Sequence, residues 1–214
     1  MRYMLDLFSG LGGASEAFFL DPDWSVLRLD NNHLLQDVPG TVIKDITSLD
    51  LLELNRKSDN TSPMRIDVVW ASPPCTEFSG GFASPKSIAS RSVGLENYEP
   101  DMTLLEITIE IIEKLNPKFW IIENVKGSIR YFKQYLGEPR QIIGPYVLWG
   151  NFPLVESKLK LKKKGDKDSN SRDPLRSNKR AKVDLLLSQA LKDAIESQTS
   201  LFDFQPMEIV GQKS

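Results

Sequence analysis

Cysteine and histidine are almost absent from this chain of 214 residues, which holds Cys75, His33 and no other residue of either type. One cysteine cannot form an internal disulfide, and one cysteine with one histidine cannot assemble a Cys/His zinc site. No run of about 18 apolar residues occurs, and the first residues lack the charged, apolar and small-residue order of a secretion signal. We therefore expect no metal centre, no membrane contact and, by default, a cytoplasmic protein.

The overall composition is ordinary, but the charge is unevenly distributed. With 40% hydrophobic and 26% charged residues, the chain is typical of one α/β domain with a small appendage. Residues 158–182 hold eleven Lys or Arg against three Asp, a charge of +8, so the remainder carries −10 of the total −2. A basic segment on an acidic body favours a polyanionic partner such as nucleic acid, while a solvated loop is the alternative.

Short apolar runs alternate with amphipathic stretches, which is typical of a parallel sheet with helical crossovers. Residues 103–106 have capping-box spacing at the start of one helix. The predicted strands are residues 3–8, 25–29, 42–43, 66–70, 119–122 and 144–150, and the predicted helices are residues 14–20, 103–115 and 184–197. Residues 76–100 and 156–178 lack a regular pattern, and we expect them to form an active-site lid and a nucleic-acid contact.

A glycine-rich turn follows the first predicted strand. Residues 6–13 read Asp-Leu-Phe-Ser-Gly-Leu-Gly-Gly, and such a turn lets backbone N–H groups approach a ligand at a helix N-terminus. The turn lacks the third glycine of a dinucleotide site and the Lys-Ser/Thr of a phosphate loop. Asp30 and Asp45 end later strands, where they could meet ribose and adenine. S-adenosylmethionine (SAM) fits these features, while a structural turn or another nucleotide site remains the alternative.

Two further strand ends carry reactive groups. Cys75 follows Pro73-Pro74 directly after the apolar run of residues 66–70, and the polar residues after it indicate exposure. A cysteine thiolate is the best nucleophile available to a protein. Glu123 follows four apolar residues, so partial desolvation would raise its pKa and let it donate a proton. The alternatives are an inert core thiol and a helix-capping acid.

Three motifs together resemble the DNA cytosine-C5 methyltransferase family: residues 6–13, residues 74–79 (Pro-Cys-Thr-Glu-Phe-Ser) and residues 123–125 (Glu-Asn-Val). The resemblance covers residues 3–150, continues faintly in the last helix, and points to a short phage-type or viral-type member. It implies a doubly wound, mostly parallel Rossmann-like sheet with helices on both faces, and SAM as cofactor. The cofactor-binding residues that it implies are Phe8, Ser9, Gly10, Gly12, Gly13, Asp30, Asn31, Asp45, Ile46, Ser72, Pro74 and Thr103.

The resemblance also implies a mechanism. Cys75 would add to C6 of cytosine while Glu123 supports the ring at N3, and the activated C5 would accept a methyl group from SAM. Because neither ring face is accessible inside a duplex, the base must be flipped out, under the predicted lid of residues 76–100.

The chain departs from the family pattern in its last third. A glutamine-arginine-arginine motif is reduced to Pro139-Arg140-Gln141, so Arg140 alone is carried over as a catalytic candidate, and Lys-Arg-Ala-Lys replaces an asparagine-containing turn at residues 179–182. About thirty residues are available for target recognition. We therefore expect a catalytic domain (1–150), a basic or minimal recognition segment (151–182), a helix packing back on the domain (183–198) and a tail (199–214). Sequence specificity could come from a protein partner.

DNA, most readily a duplex, is the expected partner. The candidate contacts lie in the lid and in the basic segment: Ser79, Lys86, Arg91, Lys160, Lys162, Lys163, Lys164, Arg176, Lys179 and Arg180. Three alternatives stay open. The first is a cytosine-N4 methyltransferase, because residues 72–74 read Ser-Pro-Pro. The other two are an RNA cytosine-C5 methyltransferase and a catalytically silent SAM- or DNA-binding subunit.

Overall fold

The described part of the chain forms a seven-stranded mixed sheet in the order β3-β2-β1-β4-β5-β7-β6. The computed structural model describes residues 1–51, 65–80, 84–92, 94, 97–156, 158–161 and 172–198. The strands are β1 (Arg2–Leu7), β2 (Trp24–Asp30), β3 (Thr41–Ile43), β4 (Val68–Ala71), β5 (Phe119–Asn124), β6 (Gln141–Ile143) and β7 (Tyr146–Asn151). The helices are α1 (Glu16–Phe19), α2 (Pro85–Ser92), α3 (Thr103–Leu115), α4 (Ile129–Leu136), α5 (Arg176–Ala181) and α6 (Leu185–Ser197).

Five neighbouring strands of the sheet are parallel. β1 pairs with β2 and β4, β2 with β3, and β4 with β5, all in parallel, whereas β7 is antiparallel to both β5 and β6. Parallel strands buried on both faces read as continuous apolar runs, as β4 does in its four fully buried residues. This arrangement confirms the predicted α/β class with a mostly parallel sheet, and it brings the carboxyl ends of β1, β2, β4 and β5 to one edge.

Helices cover both faces of the sheet because successive strand residues point to opposite sides. Leu5, Leu7 and Val69 face one hydrophobic core with α3 and α4, while Met4 and Trp70 face a second core with α1 and α6. Each fully buried large apolar side chain contributes roughly 1.5–3 kcal/mol. None of the helices in the described ranges is long and apolar enough to cross a membrane.

The structure corrects several expected elements. Helix α2 lies inside the segment expected to be a lid loop, and α5 begins inside the segment expected to be irregular. The strand expected at residues 144–150 begins at Tyr146 and runs antiparallel. The predicted capping box is wrong, because Thr103 is already helical and Asp101 Oδ1 accepts its backbone N–H at 2.9 Å. The predicted tail, residues 199–214, lies outside the described residues.

Candidate active site

The glycine turn between β1 and α1 is held by a strand-end carboxylate. Gly10 and Gly12 have φ angles of 52° and 68°, a region that favours glycine, and the backbone N–H of Gly12 donates to Ser9 O at 2.8 Å. Asp30, at the end of β2, accepts the Gly10 N–H at 2.9 Å through Oδ2 and the Asn32 N–H at 2.9 Å through Oδ1. Asp30 therefore shapes the turn as well as facing the space beside it.

A cavity of about 350 Å³ opens at the carboxyl ends of the central strands. Its lining brings together most of the residues predicted for cofactor and catalysis. The predicted residues that line it are Phe8, Ser9, Gly10, Gly13, Asp30, Asn31, Ser72, Pro74, Cys75 and Glu123.

Cys75 and Glu123 reach this cavity from neighbouring parallel strands. Ala71 of β4 pairs with Ile122 of β5, so the residues that follow emerge at the same edge. Cys75 is half-buried, and Glu123 lies within β5 and not after it. A nucleophile and a carboxyl group therefore border one space, an arrangement suited to covalent catalysis assisted by proton transfer.

The turn that carries Cys75 is fixed by Asn124 and Phe78, which were not among the predicted site residues. Buried Asn124 donates from Nδ2 to Pro73 O at 2.9 Å, which ties the turn to β5. The Cys75 carbonyl accepts the N–H groups of Phe78 and Ser79 at 3.1 and 2.9 Å, and the Phe78 ring packs 5.1 Å from that of Phe132. The contact between Asn124 and Pro73 had one signal in the sequence, which is that an asparagine directly follows Glu123.

A buried polar network lies beneath the glycine turn and was also missed. Asp6 accepts the Ser15 hydroxyl at 2.5 Å, and Ser15 Oγ in turn accepts Arg28 Nε–H at 2.8 Å. Burial raises the pKa of Asp6 to about 7, and the Ser15 hydrogen bond and the Arg28 charge offset part of that effect. Burial lowers the pKa of Arg28. Asp6 lines the cavity, so its charge bears on whatever binds there.

The far wall of the cavity comes from the α5–α6 region. Asn178, Lys182 and Val183 line it, and Lys182 Nζ pairs with a carboxylate oxygen of Glu16 at 2.8 Å. A Cβ on Gly13 would lie 2.4 Å from Val183 O, so this wall packs directly on the glycine turn. Only glycine leaves room for that contact.

Five of the residues predicted for cofactor binding or catalysis do not line the cavity. Gly12 faces Arg28, Asp45 Oδ1 accepts the Thr47 N–H at 2.9 Å, and Ile46 is buried in the core. The hydrogen bonds from Thr47 lower the pKa of Asp45. The remaining two are Thr103, the first residue of α3, and Arg140, whose Nε donates to Phe152 O at 2.6 Å.

The predicted nucleic-acid contacts fall into different environments. Lys86 points inward, with Nζ 3.5 Å from Phe78 O and 3.4 Å from Gly127 O, and Ser79 accepts the Ser84 hydroxyl through its carbonyl at 2.8 Å. Lys179 pairs with Asp173 at 2.6 Å. Arg176 is half-buried, whereas the exposed candidates are Arg91, Lys160, Lys179 and Arg180. Lys162, Lys163 and Lys164 lie outside the described residues.

Comparison with known proteins identifies the family. The model of the C-5 cytosine-specific DNA methylase family matches residues 3–135, which include the glycine turn, Cys75 and Glu123. The chain belongs to this family. The expected resemblance to the DNA cytosine-C5 methylases is thereby confirmed, while Arg140 and the α5–α6 wall lie beyond the matched range.

Two curated relatives are similar over part of their length. A protein of Frog virus 3 named "Probable DNA (cytosine-5)-methyltransferase" is 33% identical over 153 residues, 69% of this chain and 65% of the relative. The type II methyltransferase M.AquIA of Picosynechococcus sp. is 28% identical over 139 residues, 62% of this chain and 52% of the relative. The chain thus spans between half and two thirds of the length of these relatives.

Two solved structures are also similar. A DNA modification methyltransferase encoded within an E. coli prophage has a TM-score of 0.43 at 20% identity, covering 62% of this chain and 34% of that one. The Entamoeba histolytica methyltransferase EhMeth has a TM-score of 0.45 at 16% identity, covering 70% and 52%. Within the described ranges of the chain, no group of three or more His, Cys, Asp or Glu side chains could hold a metal ion.

Proposed function

We propose that this chain is a SAM-dependent enzyme that methylates cytosine at C5 in DNA. The observation that carries the proposal is that Cys75, Glu123 and the glycine turn border one cavity at the carboxyl edge of the parallel strands. In open α/β sheets, ligands bind in the crevice outside these strand ends. A nucleophile, a proton donor and a nucleoside-binding turn are thus available to a single reaction.

The cavity is lined by residues whose polar atoms could accept hydrogen bonds from, or donate them to, a nucleoside cofactor with a cationic centre. Asp6 Oδ1 and Ser9 Oγ are buried, belong to residues that line the cavity, and have no hydrogen-bond partner among the described residues. Buried polar atoms are normally paired, so a ligand would satisfy them. Phe8, Ser9, Gly10, Asp30 and Asn31 would hold SAM. When bound, SAM supplies an electrophilic methyl group on a positively charged sulfur.

The protein side chains would activate the base. The Cys75 thiolate would add to C6 of a flipped-out cytosine, and this bond makes C5 nucleophilic. Glu123 would donate a proton or hydrogen bond to N3, which receives the electron density displaced by the addition. After methyl transfer, removal of the C5 proton would expel the Cys75 sulfur and restore the ring. The reaction thus needs a thiolate, a carboxyl group and a general base that accepts the C5 proton.

The basic segment would bring DNA to the cavity. Lys160, Lys179 and Arg180 are exposed, and α5, which carries the last two, also forms part of the cavity wall through Ser177 and Asn178. Phosphate contacts position a protein on DNA without specifying sequence. With residues 151–182 as the minimal recognition segment, a protein partner could supply specificity.

The proposal is tested by identifying the modified nucleoside. The protein is incubated with methyl-labelled SAM and duplex DNA, single-stranded DNA or RNA, and the digested nucleosides are resolved by mass spectrometry. We expect 5-methylcytosine from duplex DNA, none with Cys75→Ala, and the normal yield with the matched surface variant Ser92→Ala. DNA containing 5-fluorocytosine should trap a covalent complex, because fluorine cannot leave as the proton does.

Other outcomes would replace the proposal. Label on the cytosine amino group, retained in Cys75→Ala, would indicate N4 methylation, and label only in RNA would change the substrate. A wild-type protein that binds SAM but neither methylates nor forms the trapped complex would be a silent subunit.

A further inference from the structure

Arg28 is a buried cation directly beneath the glycine turn. It lies on β2 opposite Asp6 of β1 in the parallel register, and 4% of it is exposed. Removing a guanidinium from water costs several kcal/mol unless its N–H groups find well-placed acceptors. The contacts of Arg28 therefore determine whether this position is tolerable.

The Arg28 guanidinium links three separate segments. Nη2 donates to Gly12 O at 3.1 Å in the glycine turn, and Nη1 donates to Pro39 O at 2.7 Å in the loop before β3. Nε donates to Ser15 Oγ at 2.8 Å, at the start of α1. Charge-assisted bonds from a planar fork fix direction as well as distance. Arg28 thus holds the turn, the first helix and the following loop in one arrangement.

The glycine turn packs against this guanidinium. A Cβ on Gly12 would lie 2.5 Å from Arg28 Cζ, and the Phe19 ring lies 4.4 Å from the same atom. The Ser15 hydroxyl, which accepts from Arg28, has its own hydrogen available for Asp6 Oδ2. The orientation of Asp6 at the cavity is therefore set through Ser15 by Arg28.

We propose that Arg28 is a positioning residue of the cofactor pocket, which holds the glycine turn and the Ser15–Asp6 pair in the arrangement that binds SAM. The inference rests on the proposed function for the identity of the ligand. Arg28 does not line the cavity and acts through Gly12 and Ser15. Without it, the Gly12 and Pro39 carbonyls lose their charged donor, and binding must reorder the turn at a cost in affinity.

The test compares Arg28→Met, Arg28→Lys and the matched control Arg2→Met. Arg2 is also a β-strand arginine with an aromatic contact, 4.6 Å over Trp24, but it pairs with Glu196 at 2.7 Å and does not touch the turn. We expect Arg28→Met to raise the SAM dissociation constant about tenfold or more, the scale of one lost charge-assisted bond. Arg28→Lys should recover part of the affinity, and Arg2→Met should leave it unchanged.

Kinetics separate positioning from general stability. The KM for SAM should rise in Arg28→Met, while kcat at saturating SAM stays within about threefold, because bound SAM restores the turn. A variant with lower unfolding stability but unchanged SAM affinity and KM would overturn the inference, and so would a lysine variant no tighter than the methionine one.

Two further outcomes also decide whether Arg28 has the positioning role. If Arg28→Met does not fold, Arg28→Lys and Ser15→Ala replace it, and normal SAM affinity in both refutes the positioning role. If the wild-type protein binds no SAM by calorimetric titration, the proposed function fails together with this inference. Wild-type binding with unaltered variants refutes the positioning role alone.

Discussion

Replacement of Asp6 by asparagine should remove a pH dependence of stability that this one carboxyl group imposes. Burial raises the Asp6 pKa from 3.8 to about 7 in the folded protein. Below the unfolded pKa the carboxyl group is protonated in both states. As pH rises towards the folded pKa, the unfolded chain releases the proton while the folded protein retains it, so the free energy of unfolding falls. Above the folded pKa the loss is complete.

The structure sets the size of this effect. A shift of about three pKa units at 1.36 kcal/mol per unit corresponds to roughly 4 kcal/mol, lost at up to about 1.4 kcal/mol per pH unit. Asp6 is fully buried, so solvent does not screen this contribution. In Asp6→Asn, the amide oxygen can still accept the Ser15 hydroxyl, and no charge develops as pH rises.

Urea unfolding followed by tryptophan fluorescence between about pH 4 and pH 8 measures this difference. The stability of Asp6→Asn relative to wild type should rise by several kcal/mol between about pH 4 and pH 8. Groups such as Asp21 and Glu196 titrate identically in both proteins and cancel from this difference. The control is Asp101→Asn. Hydrogen bonds from Thr103 lower the Asp101 pKa, so its carboxylate contributes stability that is fully present above the unfolded pKa. The stability difference between wild type and Asp101→Asn should therefore stay nearly constant from about pH 5 to pH 8. Parallel pH curves for wild type and Asp6→Asn would show that the Asp6 pKa does not differ between the folded and unfolded states, which would refute the reasoning.

Three other changes test separate features. Glu123→Gln should lower the single-turnover rate of methyl transfer roughly 10²-fold while SAM and DNA binding persist, and a normal rate would remove Glu123 from the chemistry. Gly150→Ala should lower the free energy of unfolding, measured in urea, by more than about 2 kcal/mol, because φ is 134° and the new Cβ would lie 2.1 Å from a β5 carbonyl oxygen. The control Gly137→Ala should lower it by less, because nothing lies within 4 Å of the new Cβ. Replacing Lys179 and Arg180 by alanine should reduce the slope of log affinity against log salt by about 1 per lost phosphate contact, and an unchanged slope would make these solvated charges.

The central strands could be predicted because their burial leaves a continuous apolar signal. β4 and most of β5 are buried on both faces, and the runs that contain them stand out in the sequence. Helix α2 left no such signal, because none of its described residues is buried. Strand β6 has only three residues, which are too few to show an alternating apolar pattern. Elements without a buried face depend on their neighbours and not on their own pattern.

The site was predictable where chemistry follows a strand end. Cys75, Glu123 and Asp30 converge because parallel strands end at one edge of the sheet. The Asp6–Arg28 pairing was not predictable, because it depends on the register of β1 against β2. Asp45 shows a second use of the same residue type, and its contact with the cofactor stays a prediction. Its spacing suited a ligand contact, but an aspartate two residues before a free N–H also caps a turn, and the structure shows that use.

The wall that closes the cavity has a consequence for synthesis on the ribosome. The ribosome makes a chain from its N-terminus, so Gly13 and Ala17 emerge long before Val183 and Ser188. The backbone N–H of Ala17 donates to Ser188 Oγ at 3.1 Å, and Val183 covers Gly13, so these contacts join residues about 170 positions apart. A nascent chain that already carries both Cys75 and Glu123 therefore still lacks one wall of the cavity. The cavity gains its last lining residues, which lie between positions 177 and 183, only when the α5–α6 region packs on the glycine turn.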